Sequence, residues 1–162
     1  MKKPSAASTI ASVLSVLALS ACGSGAPEVD TTTPEGQAYV FRESVMTILA
    51  AKMTTIGGMA REEIPLDEAV FTKSVNDLAA VSGMLPEGFM PEGMPPGSRA
   101  LPEIWSNWAD FQQKAADLQN AAQGLADAVE TGGFAAAQGL VQSTAGTCGG
   151  CHRTYRAPDE EE

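Results

Sequence analysis

Residues 147–156 read TCGGCHRTYR, and the reading of Cys148-Gly149-Gly150-Cys151-His152 inside that stretch decides the rest. Residues three positions apart fall on one face of a helix. Two thiols so placed can add to the two vinyl groups on one edge of a porphyrin, and the next residue, His152, then turns its imidazole to the iron. The run is the attachment pattern for c-type haem. Two other chemistries use a Cys-x-x-Cys pair. A zinc site needs four ligands, and the chain offers no second Cys/His pair, since Cys22 is the only other cysteine and His152 the only histidine. A redox dithiol expects a strand–helix–strand setting, which is missing. The immediate histidine, the helical surroundings and an export signal favour haem.

Working back from this run, apolar residues recur at helical spacing and no alternating strand pattern appears. The helix carrying the motif starts near Phe134 and runs through Leu140 and Val141 to Cys148 and Tyr155. The helix before it opens at Pro102-Glu103 and is ended by Gly132-Gly133. Its inward face is Ile104/Trp105, Trp108, Phe111, Ala115, Leu118, Ala122, Leu125 and Val129. Trp105, Trp108 and Phe111 cannot all face inward, so one tryptophan packs and the other sits at the edge. Residues 84–102 hold five prolines and three glycines and leave no room for a helix. A helix follows Pro65 with Leu66, Val70, Phe71, Val75, Leu78 and Val81 apolar, and ends near Gly83. The first helix opens at Thr33-Pro34-Glu35, an N-cap followed by proline and an early acid. Its apolar face is Phe41, Val45, Ile48/Leu49, Met53, Ile56 and Met59/Ala60. The expectation is an all-α, antiparallel four-helix bundle over residues 34–157, with haem attached covalently near the C-terminus of helix 4. Residues 158–162 form an acidic tail. No P-loop, dinucleotide fingerprint or serine elbow is present.

A haem motif at the C-terminal end of a bundle, with FRESVM in the first helix and SRALPEIWSNWADF opening the third, resembles the class II c-type cytochromes, the cytochrome c′ family. The likeness covers roughly residues 34–157. It implies one haem c per chain, held by Cys148 and Cys151, with His152 as proximal iron ligand. It implies that Arg42 lies near a haem propionate, a role that suits an arginine set among Val40, Phe41, Val45 and Met46. It implies that Arg156 lies near the proximal pocket and that Met46, four residues after Arg42, sits on the distal side of the iron. Methionine opposite histidine suits electron transfer, and a periplasmic electron carrier with Met46 ligated is the expected function. The alternative is a five-coordinate haem that binds NO or CO at an open distal site. Neither reading is an enzyme. The resemblance also implies homodimers packed through the first two helices. The chain departs from the family at Gly149-Gly150, where a lysine or alanine is frequent, and this bears on helix continuity. Met84, Met90 and Met94 suggest Cu(I) by ligand type, but their spacing is loose, and filler capping the bundle is the better account.

Residues 1–21 read as a secretory signal, with Lys2 and Lys3 before a short apolar run, Ile10 to Leu19. The run is too short to span a membrane. Leu19-Ser20-Ala21-Cys22 resembles a bacterial lipobox, which implies cleavage before Cys22 and acylation of its thiol. Residues 22–33 are then a lipidated tether. The odd cysteine is the lipid site, the other two are haem thioethers, and no disulfide is expected. Gly23 in place of an aspartate points to the outer membrane, with the protein in the bacterial periplasm.

The chain holds 20 acidic and 10 basic residues for a formal charge of −10. Removing residues 1–21 takes away two lysines and no acid, so the mature charge is −12. That balance excludes a nucleic-acid surface and calls for a redox partner with a basic docking surface.

Overall fold

The structure, a computed structural model, describes residues 28–158. Cys22, the signal segment and residues 159–162 lie outside the described residues. Four long helical stretches form the bundle. Helix α1 is Pro34–Ala60 and α2 is Glu68–Ser82. A short helix α3, Glu103–Ser106, leads into α4, Trp108–Ala137, and α5 is Val141–Tyr155. Among the described residues there is no strand, only an isolated bridge between Ala100 and Arg156.

Local chemistry sets the boundaries. Thr33 caps α1 by accepting from the Gly36 amide at 3.1 Å, with Pro34 at the first helical position. Asp67 caps α2 by accepting from Ala69 and Val70 at 3.0 and 3.1 Å. Gly133 has φ +62, a left-handed conformation that costs glycine nothing. The chain leaves the helical path at Gly132-Gly133, so the fourth bundle helix in effect runs from Phe134, through a 3-10 turn at Gln138–Leu140, into α5.

The bundle is up-down-up-down. α1 and α2 pack together, α2 packs on α4 and α4 on α5, while α1 and α5 touch less than these three pairs. The core runs along the bundle through Val45, Leu49 and Ile56 of α1, Phe71, Val75 and Leu78 of α2, and Phe111, Leu118, Ala122 and Leu125 of α4.

Several expectations are corrected. Phe41 of α1 is 37% exposed, off the narrower buried stripe Val45–Leu49–Ile56; of the pair Ile48/Leu49 it is Leu49 that faces in, Ile48 being 41% exposed. The apolar Leu66 and Val70 before and at the start of α2 are both 44% exposed. The third helix is not continuous: Asn107 takes φ −120 and ψ 41 and separates α3 from α4. That break resolves the crowding at its start. Phe111 is buried, Trp108 is half-buried and stacks on it at 5.3 Å, and half-buried Trp105 donates from Nε1 to the Phe89 carbonyl at 2.9 Å. The connection at 84–102 does hold a helix, the 3-10 turn Leu85–Phe89, which Pro86 opens. Leu85 and Phe89 cap the bundle there, and Met84, Met90 and Met94 are 43, 68 and 52% exposed rather than filling it. α5 runs unbroken through Gly149-Gly150.

Candidate haem site

α1 and α5 stand apart around a cavity of about 560 Å³. A volume of that order suits a buried cofactor of drug-like size or larger. α5 supplies Cys148, Cys151, His152 and Tyr155 to its wall, and α1 supplies Arg42, Met46, Leu49 and Met53. Phe111, Lys114 and Leu118 of α4 and Leu85 and Phe89 of the connection complete it.

Cys148 and Cys151 are half-buried, unpaired thiols one turn apart on the cavity side of α5. Burial pushes both thiols up from their ordinary value, offset at Cys148 by a hydrogen bond with Thr147 and at Cys151 by the charge of Lys114. A raised value keeps both in the thiol form at neutral pH. Burial also lowers His152, and the charges of Arg156 and Arg99 lower it further. A neutral imidazole is the form that binds a metal. The donor set fits a c-type haem: two thiols and one neutral imidazole on one wall, with a largely apolar wall opposite. Among the described residues no cluster of three or more His, Cys, Asp and Glu could hold a bare metal ion.

Arg42 is 2% exposed on α1 and lines the cavity. Its guanidinium donates to the Gly93 carbonyl at 3.2 Å and to Ser98 Oγ at 2.8 Å, and lies over the rings of Tyr39 and Phe89 at 5.0 and 5.2 Å. Burial lowers its pKa, partly offset by the charges of Glu43 and Tyr39. Arg42 thus ties the 84–102 connection down on α1. Gly88 makes this approach possible, because a Cβ there would lie 2.5 Å from Arg42 Cβ. Arg156 caps α5, is exposed, lines the cavity and donates its amide to the His152 carbonyl at 3.1 Å. Met46 is half-buried in the α1 wall. The structure thus brings together every site residue expected of the domain: Arg42, Met46, Cys148, Cys151, His152 and Arg156.

Other residues at the site were not anticipated. Lys114 has a signal in the sequence, standing three residues after Phe111 and four before Leu118, on the inward stripe of α4. Arg99 has none. It reaches the site because residues 99–101 pair with the chain after α5: Leu101 donates to the Tyr155 carbonyl at 3.0 Å, and Ala157 to the Arg99 carbonyl at 2.8 Å. Tyr155 is 3% exposed and donates from its hydroxyl to Asp110 Oδ2 at 2.6 Å. Neither tryptophan lines the cavity.

A family model described as Cytochrome C' matches residues 37–156. A cytochrome c-554 of Cereibacter sphaeroides is 37% identical over 122 residues, spanning 73% of this chain and 91% of the relative. A cytochrome c' of Rubrivivax gelatinosus is 30% identical over 122 residues, spanning 75% and 95%. Among solved structures, cytochrome c prime from Shewanella frigidimarina superposes with a TM-score of 0.72 at 28% identity, covering 76% of this chain and 97% of that one. A nitric oxide complex of a point mutant of cytochrome c prime from Alcaligenes xylosoxidans gives 0.69 at 27% identity, covering 76% and 97%.

Proposed function

The chain belongs to the cytochrome c′ family, and from that membership we propose that it is an exported monohaem protein that takes up a small diatomic gas on the distal side of its haem. Proteins of this family bind one c-type haem per chain. When bound, the haem supplies an iron that cycles between Fe(III) and Fe(II) and coordinates NO or CO when reduced. The chain's own residues do the rest. Cys148 and Cys151 would hold the porphyrin by two thioethers, and His152 would ligate its iron. Arg42, already fixed by Gly93 and Ser98, presents its charge to a propionate. Arg156 stands beside the proximal side. The apolar wall of α1 and α4 excludes water.

The observation that carries the reading is a cavity with both thiols and the imidazole of α5 on one wall and mainly apolar side chains of α1 opposite. Complexes of relatives with nitric oxide and with carbon monoxide support it. A second reading is favoured by Met46 itself. A long, flexible thioether in the wall facing α5 is suited to ligate the iron and hold it six-coordinate for electron transfer. The optical spectrum of the reduced holoprotein separates the two. A broad high-spin spectrum that shifts under CO supports gas binding. Sharp α and β bands unchanged by CO would overturn it in favour of Met46 ligation, and Met46→Ala should then convert one spectrum into the other.

The lipobox-like segment supports a periplasmic, membrane-anchored form acylated on Cys22. Radiolabelled palmitate incorporated by the wild type but not by Cys22→Ala tests it. No helix among the described residues is long and apolar enough to cross a membrane. Exposed Phe41 and Ile48, seven residues apart on α1, support a homodimer through α1 and α2. Phe41→Glu should halve the mass measured by light scattering.

A further inference from the structure

A ferrous haem gives up one electron on oxidation to Fe(III), whereas reducing hydrogen peroxide to water takes two. A reduced monohaem protein that meets peroxide at an open distal site must draw the second electron from elsewhere in the molecule. Otherwise the peroxide splits into hydroxide and a free hydroxyl radical. The side chains that yield a single electron most readily are those of tyrosine and tryptophan, and the chain holds two of each. Of these four only Tyr155 lines the cavity. Phe111, whose ring is not oxidised in this way, stands between Tyr155 and Trp108, at 5.6 and 5.3 Å between ring centres.

The two tyrosines have opposite neighbours. The Arg42 guanidinium lies 5.0 Å from the centre of the Tyr39 ring. Removing an electron there would place positive charge beside a fixed cation, which is unfavourable. Tyr155 is 3% exposed, and its hydroxyl donates to Asp110 Oδ2 at 2.6 Å. A phenol that loses an electron becomes strongly acidic, so the loss is easy only where a base takes the proton in the same step. Asp110 Oδ2 lies within the reach that such a transfer requires. The Asp110 side chain is 57% exposed, so its carboxyl can pass the proton on to solvent. Burial of the phenol ring keeps reductants in solution away from a radical formed on it.

We propose that Tyr155 is the second electron donor when the reduced haem meets a hydroperoxide, with Asp110 as the acceptor of its proton; the proposal rests on the open distal site argued above. Fe(II), the phenol, hydrogen peroxide and one proton give Fe(III), the Tyr155 phenoxyl radical and two waters. The O–O bond breaks, Fe(II) supplies one electron and Tyr155 the other. The phenol O–H bond breaks, its proton passes to Asp110 Oδ2, and solvent supplies the two protons that the peroxide oxygens take up.

The experiment mixes anaerobic, reduced holoprotein with one equivalent of hydrogen peroxide. Freeze-quench electron paramagnetic resonance should show an organic radical whose spectrum narrows when the protein carries ring-deuterated tyrosine. Tyr155→Phe should remove the signal and raise several-fold the hydroxyl radical caught by a spin trap, which loss of a merely structural contact would not do. Asp110→Asn keeps the shape of the acceptor but takes no proton, and should lower the radical yield several-fold. Tyr39→Phe should leave both readouts as in the wild type. A signal that survives Tyr155→Phe, a full yield from Asp110→Asn, or oxygen added to Met46 with no radical formed would each overturn the proposal. The visible spectrum separates its failure from that of the parent reading. A haem that binds CO and is oxidised by the peroxide, yet leaves no radical on Tyr155, overturns the proposal alone. A ferrous haem that neither binds CO nor is oxidised by the peroxide overturns the open distal site and the proposal with it.

Discussion

The two ends of the bundle are built from the same helices and filled in opposite ways. At the closed end Ile56, Phe71, Ala122, Leu125 and Ala137 are wholly buried, and Phe134 meets Phe71 edge-on at 5.0 Å. Side chains close that end without help. At the other end α1 and α5 diverge around about 560 Å³ that the chain leaves unfilled. Phe89, Phe111 and Tyr155 line it in mutual ring contact and still leave it open, so this end depends on a porphyrin for the rest of its apolar bulk.

The largest effect comes from denying the open end its filling. Without haem the cleft is open to water, which restores no apolar contact to the side chains that line it, in a domain whose total stability is only about 5–15 kcal/mol. Cys148→Ala with Cys151→Ala, which leaves no thioether, should therefore abolish cooperative thermal unfolding by near-ultraviolet circular dichroism. A melt as sharp as that of the holoprotein would break the contrast between the ends. Phe71→Ala attacks the closed end instead. It should cost about 3–5 kcal/mol in chemical denaturation and leave the visible haem spectrum unchanged. A shifted spectrum would show that the two ends are coupled.

The closed end was the more legible in sequence. Phe71, Val75, Leu78, Ala122 and Leu125 follow from helical periodicity, and Gly132-Gly133 marks the turn into the fourth helix. Cys148, Cys151 and His152 were legible because their chemistry is confined to one short run. The rim was not. Arg99 arrives through backbone pairing between residues far apart in the chain, which leaves no periodic trace. The seating of 84–102 on α1 depends on Gly88 and Gly93 and on the bonds from Arg42, in a stretch whose prolines read only as an absence of helix. Arg42 therefore has two duties that a substitution can separate. Arg42→Met keeps the apolar stem but removes both hydrogen bonds. It should cost about 1.5–3 kcal/mol and expose residues 90–98 to limited proteolysis. Unchanged proteolysis would show that the connection is seated without it.

The smallest effect sharpens the comparison by pH. Tyr155 is buried at the open end and donates to Asp110 at 2.6 Å. Burial pushes its hydroxyl up to about 12, with the hydrogen bond and the charge of Asp110 adding to it. A raised pKa means that folding favours the protonated phenol. Its contribution is complete below the ordinary value of 10 and is lost as the pH climbs from there towards about 12. Tyr155→Phe should cost about 1 kcal/mol at pH 8, no more than an ordinary hydrogen bond because Asp110 is largely solvated. Near pH 11 the wild type should have lost roughly 1.4 kcal/mol through this group, and the phenylalanine variant should have drawn level or passed it. Urea midpoints of the two holoproteins at pH 8 and pH 11 decide the point. A constant difference between them would mean that the phenol ionises as freely in the folded chain as in the unfolded one, and that the open end is wetter around α5 than its packing shows.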